Sequence, residues 1–168
     1  HRFDSDILHK NTMESWNREY CKKVINEFLN DNDMIDYKSD NRKHKRRTLT
    51  DENFWLWKSI DNLIKSNIGP DYYLSQWVIG LRYDKGDYFL EHSDGYGHGT
   101  RILSGGIELS NENDYKGGKY ILKGLDGKNK RGYLFVHKPD EVHEITEVTK
   151  GTRYSLHFCI SKNSNKLI

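Results

Sequence analysis

Apolar residues recur at helical spacing in two early stretches and at alternate positions through most of the remaining chain. Met13, Trp16, Tyr20, Val24 and Phe28 fall on one helical face, and Asn11 with Glu14 three residues on has the form of a capping box. A helix is therefore predicted over about 12–30. Leu56, Ile60, Leu63 and Ile64 make a second stripe, in a helix that starts near Thr50 or Asp51 and stops at Gly69-Pro70. Such stripes are packing faces rather than cofactor boxes. Between the helices, Met34 to Lys38 reads as a short strand. From about Tyr72 the period falls to two, with Gly, Asn and Asp between short runs. Strands are predicted near 74–83, 87–92, 101–109, 119–123, 132–137, 142–147 and 152–160. Many short strands behind a helical layer predict a mainly β chain with α support, a sandwich or jelly roll braced by N-terminal helices. A single domain is expected over 1–168, with about 12–70 as helical support and about 72–160 as the β core. The polar tail after Ser161 is expected to fray.

Composition sharpens this picture. A chain of 168 residues can bury one real core, and at 35% hydrophobic and 31% charged its surface must be polar. The core leans on aromatics, with 11 Tyr, 6 Phe and 4 Trp. The 27 basic residues nearly balance the 25 acidic ones, and a net charge of +2 argues against polyanion binding by the molecule as a whole. Basic residues are nonetheless bunched in Arg42-Lys43-His44-Lys45-Arg46-Arg47. This run reads as a solvated loop between the helices or as a patch for an acidic peptide or a nucleic-acid backbone. The lack of interleaved aromatics weighs against nucleic acid. No apolar run reaches the length of a membrane span and no signal-peptide pattern opens the chain, so no membrane association is expected. Cys21 and Cys159 alone do not make a disulfide framework, and a reduced, intracellular, cytoplasmic setting is the expectation. Cys159 lies in an apolar strand pattern and is read as core.

The chemistry-bearing residues lie in the second half. His92 and Asp94 are separated only by Ser93, and a strand turns residues i and i+2 to one face. On its own a His-x-Asp pair is weak evidence. With His143 downstream it has the composition of a facial triad, which holds one side of Fe(II) and leaves the other open. Ten residues after His143 stands Arg153, a permanently charged fork suited to gripping a carboxylate. Alternation puts Ser155 and His157 on the face of Arg153. The Ser155 hydroxyl is read as a second donor, and His157 as a hydrogen-bonded core histidine.

Several ordered motifs carry a resemblance. These are Arg101-Ile102-Leu103-Ser104, Ile107-Glu108-Leu109-Ser110, Asp114-Tyr115-Lys116-Gly117-Gly118, Arg131-Gly132-Tyr133-Leu134-Phe135-Val136, and the run from His143 to Leu156. Together they resemble the central strands of prolyl 4-hydroxylase-type 2-oxoglutarate/Fe(II) dioxygenases, over roughly residues 74–160. The resemblance implies a double-stranded β-helix (jelly-roll) core. It implies that His92, Asp94 and His143 bind iron, that Arg153 binds the C5 carboxylate of 2-oxoglutarate, and that Tyr83 contacts the same co-substrate. It also implies O2 as oxidant, succinate and carbon dioxide as products, and ascorbate as a candidate reductant. The implied reaction is hydroxylation of an unactivated C–H in a protein or peptide, prolyl residues first. The alternatives are a hydroxylase of a free amino acid, small molecule or nucleobase, and a catalytically silent binding module on the same scaffold.

The chain departs from the pattern in three places. Ser104-Gly105-Gly106 replaces bulkier strand residues, and such glycines mark close approach of a ligand or backbone. Glu108 stands about where some relatives place a co-substrate contact. A carboxylate there repels 2-oxoglutarate unless it is paired, for which Arg153 is the nearest candidate. His137-Lys138-Pro139 replaces an apolar residue followed by Pro-Ser, a change at the mouth of the site. In the glycine-rich loop after Asp94, Tyr96 and His98 are the candidate substrate-lining residues.

Overall fold

The structure, a computed structural model, describes residues 14–50, 52–95, 101–127 and 130–163. Helix α1 spans Arg18–Phe28 and is capped by Asn17, whose side-chain oxygen accepts from the Tyr20 N–H at 2.8 Å. It begins later than the apolar period predicts. Ser15 bridges Tyr133, and the Trp16 N–H donates to the Gly132 carbonyl at 2.9 Å, so these residues spend their backbone groups on the β layer. The proposed capping residue Asn11 lies outside the described residues. Helix α2 spans Phe54–Asn67 and buries the predicted stripe Leu56, Ile60, Leu63 and Ile64. It too starts after the predicted position, at the cap Asn53.

Strand β1 (Ile35–Ser39) is where the sequence puts it, but the basic run after it is not a loop. Arg42–Leu49 forms β2, paired antiparallel with β1 from Ile35↔Arg46 to Ser39↔Arg42. Alternation separates its charges into two sets. Lys43, Lys45 and Arg47 reach Asp87, Asp31 and Asp33 at 2.8, 3.3 and 2.9 Å, while His44 on the other face is buried.

The remaining strands are β3 (Tyr72–Tyr83), β4 (Tyr88–His92), β5 (Leu103–Glu108), β6 (Tyr115–Gly117), β7 (Tyr120–Leu122), β8 (Leu125–Asp126), β9 (Leu134–His137), β10 (His143–Ile145), β11 (Val148–Gly151) and β12 (Arg153–Lys162). The predicted 142–147 strand thus stops at Ile145, and the short strands β6, β8 and β11 have no counterpart in the sequence pattern. One curled antiparallel sheet runs β8-β7-β10-β4-β2-β3-β12-β5-β9, with β1 on β2 and a separate β11-β6 ribbon. Strand β2 pairs with both β3 and β4 and so joins the two walls of the roll. The chain is a jelly roll braced by helices.

Two apolar clusters result from this curl. The larger lies under the helices, where Cys21, Val24 and Phe28 of α1 and the α2 stripe meet Leu74, Val78, Leu103, Ile107, Leu156, Phe158 and Ile160. The smaller lies inside the roll and joins Tyr83, Tyr120, Ile145 and Val148. Strand β5 separates the two faces and is buried along its whole length. Its glycines are explained by protein neighbours. A Cβ on Gly106 would stand 2.5 Å from the Leu156 carbonyl oxygen and 2.3 Å from the Phe135 ring, and one on Gly105 would stand 2.8 Å from Ile160. Both cysteines are free and buried, Cys159 among the core residues as read. Among the described residues no helix is long and apolar enough to cross a membrane.

Candidate metal and co-substrate site

His92 is the last residue of β4 and Asp94 lies two positions on. His143 opens β10 and is the direct partner of His92 across the antiparallel pair. This register brings His143, distant in sequence, to the His92 and Asp94 pair. Asp94 Oδ1 lies 3.9 Å from His92 Nε2 and 3.8 Å from His143 Nε2, and one ligand atom from each residue falls within 4.8 Å of the others.

The protonation of the imidazoles is set by their other contacts. His92 Nδ1 is 2.8 Å from the Leu90 carbonyl, and His143 Nδ1 is 3.0 Å from the Glu141 carbonyl. A carbonyl can only accept, so each Nδ1 carries a proton and each Nε2 is the ring nitrogen that faces Asp94. Burial lowers the His92 pKa further, favouring the neutral ring. Burial acts to raise the Asp94 pKa. The facing histidines, His157 foremost, and a 2.5 Å hydrogen bond from the Ser104 hydroxyl outweigh it and hold the carboxyl below its ordinary range. The group then offers two imidazole Nε2 atoms and a carboxylate, the donor set of non-haem Fe(II).

Two further histidines close on the other carboxylate oxygen. His137 Nε2 and His157 Nε2 each lie 3.7 Å from Asp94 Oδ2. His157 is therefore not the core histidine the sequence suggested. It lines the same cavity as the triad, and burial pushes its pKa down to about 4. His137 donates from Nδ1 to the Lys138 carbonyl at 2.9 Å, and its buried Nε2 has no hydrogen-bond partner. The strand alternation of Arg153, Ser155 and His157 was the signal that could have found His157. His137 stood out in the sequence only as a change at the mouth of the site, and it is the register, opposite Ser104 across β5 and β9, that brings it to Asp94.

The cavity beside this cluster holds about 400 Å³ and is lined in part by Tyr83, Tyr120, Arg153 and Ser155. Arg153 and Tyr83 are direct partners across β12 and β3, both fully buried, with the guanidinium 5.5 Å from the Tyr83 ring centroid. Ser155 is also buried and stands opposite Glu108. Glu108 is indeed paired with Arg153: its Oε2 accepts from Arg153 Nε at 3.0 Å and from Nη2 at 2.7 Å. Burial pushes the Glu108 carboxyl upward against the pull of Arg153, and Glu108 in turn keeps Arg153 charged despite burial. Arg153 Nη1 has no partner, and neither has the Tyr120 hydroxyl, although both atoms are buried. Lone pairs gather at one end of the cavity and unpaired donors line its wall. A keto acid chelated to a divalent cation would satisfy both. Tyr96 and His98 lie outside the described residues.

No family model matches the chain. Solved structures do resemble it. A prolyl-4-hydroxylase from Pseudomonas putida is 14% identical with a TM-score of 0.71, over 95% of this chain and 96% of that one. A prolyl hydroxylase from Trichoplax adhaerens, in complex with a hypoxia inducible factor oxygen degradation domain peptide fragment, is 14% identical with a TM-score of 0.67, over 86% and 78%. A viral collagen prolyl hydroxylase from Paramecium Bursaria Chlorella virus-1, in a 2OG complex, is 15% identical with a TM-score of 0.62, over 88% and 92%. The chain thus has the jelly-roll fold of the prolyl 4-hydroxylases and other 2OG-Fe(II) oxygenases, and at these identities the likeness is one of fold.

Proposed function

We propose that the protein is a 2-oxoglutarate- and Fe(II)-dependent oxygenase that hydroxylates a residue in a protein or peptide, a prolyl residue before others. The observation that carries this reading is the convergence of His92 Nε2, His143 Nε2 and Asp94 Oδ1, with both Nδ1 atoms tied to backbone carbonyls. His92, Asp94 and His143 would hold the iron. Arg153 would hold the far carboxylate of 2-oxoglutarate through its unpaired Nη1, with Tyr83 and Ser155 beside it. When bound, the iron with 2-oxoglutarate and O2 supplies the oxidising chemistry, which yields succinate, carbon dioxide and a hydroxylated C–H carbon.

The chain's own residues do the positioning. The Ser104 hydroxyl bonds Asp94 Oδ2, which leaves Oδ1 for the metal. The Leu90 and Glu141 carbonyls fix the two imidazoles in the ligating tautomer. Glu108 fixes the Arg153 fork before any ligand arrives, so less ordering entropy is lost on binding. The Trichoplax relative was solved with a peptide fragment, which supports a peptide substrate here.

The test is anaerobic Fe(II) titration, then succinate formation in air with a proline-containing peptide. His143→Ala is expected to lose both metal affinity and turnover. Unchanged metal affinity in that variant would overturn the reading.

A further inference from the structure

The face of β2 that carries Arg42 and Arg46 has a chemistry that the metal site does not use. On the opposite face Lys43, Lys45 and Arg47 each have a carboxylate partner. Arg42 and Arg46 line the cavity, and among the described residues neither has a carboxylate within ion-pair distance. The Arg42 Nε is buried with no hydrogen-bond partner at all. Both guanidiniums are held by rings: Arg42 lies 4.7 Å from the Tyr37 centroid and 4.7 Å from that of Phe89, and Arg46 lies 4.1 Å from Tyr37. Phe89 stacks in turn on His92 at 3.5 Å, so one ring separates Arg42 from a candidate iron ligand. The uncompensated charge is felt locally. After burial, Arg42 and Arg46 are the largest causes of the fall of the His44 pKa to about 4.

We infer that this face is a docking surface for the acidic flank of an extended peptide substrate, whose target residue then enters the cavity beside Asp94. The inference rests on the oxygenase reading and names the substrate class for that site. A guanidinium stacked on a ring keeps its edge N–H groups free, and that edge matches a carboxylate with two parallel bonds. A single-stranded nucleic acid fits this surface less well, because it needs successive free aromatic platforms as well as charge. Here the Tyr37 ring is engaged by Arg42, Arg46 and His44, which leaves Trp77, at 38% exposure, as the most exposed ring of the lining. A net charge of only +2 gives the chain as a whole little pull on an acidic peptide.

The experiment uses the full chain and three labelled peptides of equal length around one proline, flanked by Asp/Glu, by Ser/Gly or by Lys. Binding is read by fluorescence anisotropy, and succinate formation is read in the same samples. An oligothymidylate of matching charge serves as competitor. Two half-exposed ion pairs predict that the acidic peptide binds about tenfold more tightly than the Ser/Gly peptide. Arg42→Gln/Arg46→Gln should remove that preference, and the more severe Arg42→Glu/Arg46→Glu should reverse it. Lys22→Glu/Lys23→Glu on α1, which makes the same net charge change as the second variant, should leave it intact. Equal binding of all three peptides, equal loss in the α1 control, or tighter binding of oligothymidylate through Arg42 and Arg46 would each overturn the inference. Charge-ranked binding lost in the Gln variant, but without succinate in any sample, upholds the surface and counts against the oxygenase.

Discussion

The Arg153–Glu108 pair gives a direct way to separate holding the co-substrate from holding the fold. Both side chains are 1% exposed, and two hydrogen bonds of 2.7 and 3.0 Å join them. Arg153→Leu removes the cation and leaves a buried carboxylate without a counter-charge. Breaking a buried pair in this way costs about 3–5 kcal/mol. In a domain of this size each kcal/mol lowers Tm by about 2–4 °C, so the single variant should melt roughly 6–20 °C below wild type. Replacing both partners with apolar side chains of similar volume is often close to neutral. Arg153→Leu/Glu108→Leu should therefore recover most of the loss. The single variant should also show a pH signature. Its Glu108 carboxyl keeps the proton when folded and loses it when unfolded, so the unfolded state binds fewer protons and stability falls as pH rises above the ordinary carboxyl pKa. The double variant lacks that slope. If Arg153 anchors 2-oxoglutarate as proposed, both variants should lose that charge-assisted bond, worth about 1.5–3 kcal/mol, or roughly 10- to 100-fold in affinity. Chemical denaturation of metal-free protein reads the first effect, and calorimetric titration of 2-oxoglutarate into Mn(II)-loaded protein reads the second. A double variant as unstable as the single one would refute the argument from the orphaned charge. Wild-type affinity for 2-oxoglutarate in the double variant would refute Arg153 as its anchor.

Two further predictions rest on the packing. His44 is buried with its pKa lowered to about 4, so between pH 6.5 and 4 the unfolded chain takes up a proton that the folded one refuses. That difference removes about 3 kcal/mol of stability across the window, and His44→Phe should remove that share of the pH slope and leave the share due to the similarly depressed His157. Gly106→Ala pushes a methyl group against the Leu156 carbonyl and the Phe135 ring and should cost about 1–3 kcal/mol by denaturant unfolding. An unchanged midpoint would mean that β5 and β12 separate more easily than their register implies.

The local patterns that the sequence does carry are those set by one element and its solvent face. The α2 stripe, the alternation of β3 and β12, and the His-x-Asp pair at the end of β4 are legible because each depends on a period. Strand β2 is not. Charges on both of its faces look solvated until Asp31, Asp33 and Asp87, distant in sequence, are seen to neutralise one side. The start of α1 is hidden for a similar reason, since its period runs on through residues whose backbone bonds go to Gly132 and Tyr133. The glycines of β5 announce a close approach, but only the fold shows that Leu156 and Phe135 make it. At the site, the three residues picked for iron do meet. His137 and His157 are undervalued by sequence because whether a strand histidine faces core or cavity depends on what the opposite wall leaves empty.

The position of β12 has a consequence for how the molecule is made. It is the last strand of the described chain, yet it lies between β3 and β5 in the middle of the sheet. It also carries Arg153, whose partner Glu108 is 45 residues earlier. During synthesis the earlier strands emerge with the centre of their sheet missing. Pairing over such separations is slow and exposes strand edges while it waits. A product that stops before Arg153 would therefore lose the seam that holds two halves together rather than an expendable end. Truncated forms should be insoluble or rapidly degraded instead of partly active, and a genetic tag is better placed beyond Lys162 than between β11 and β12.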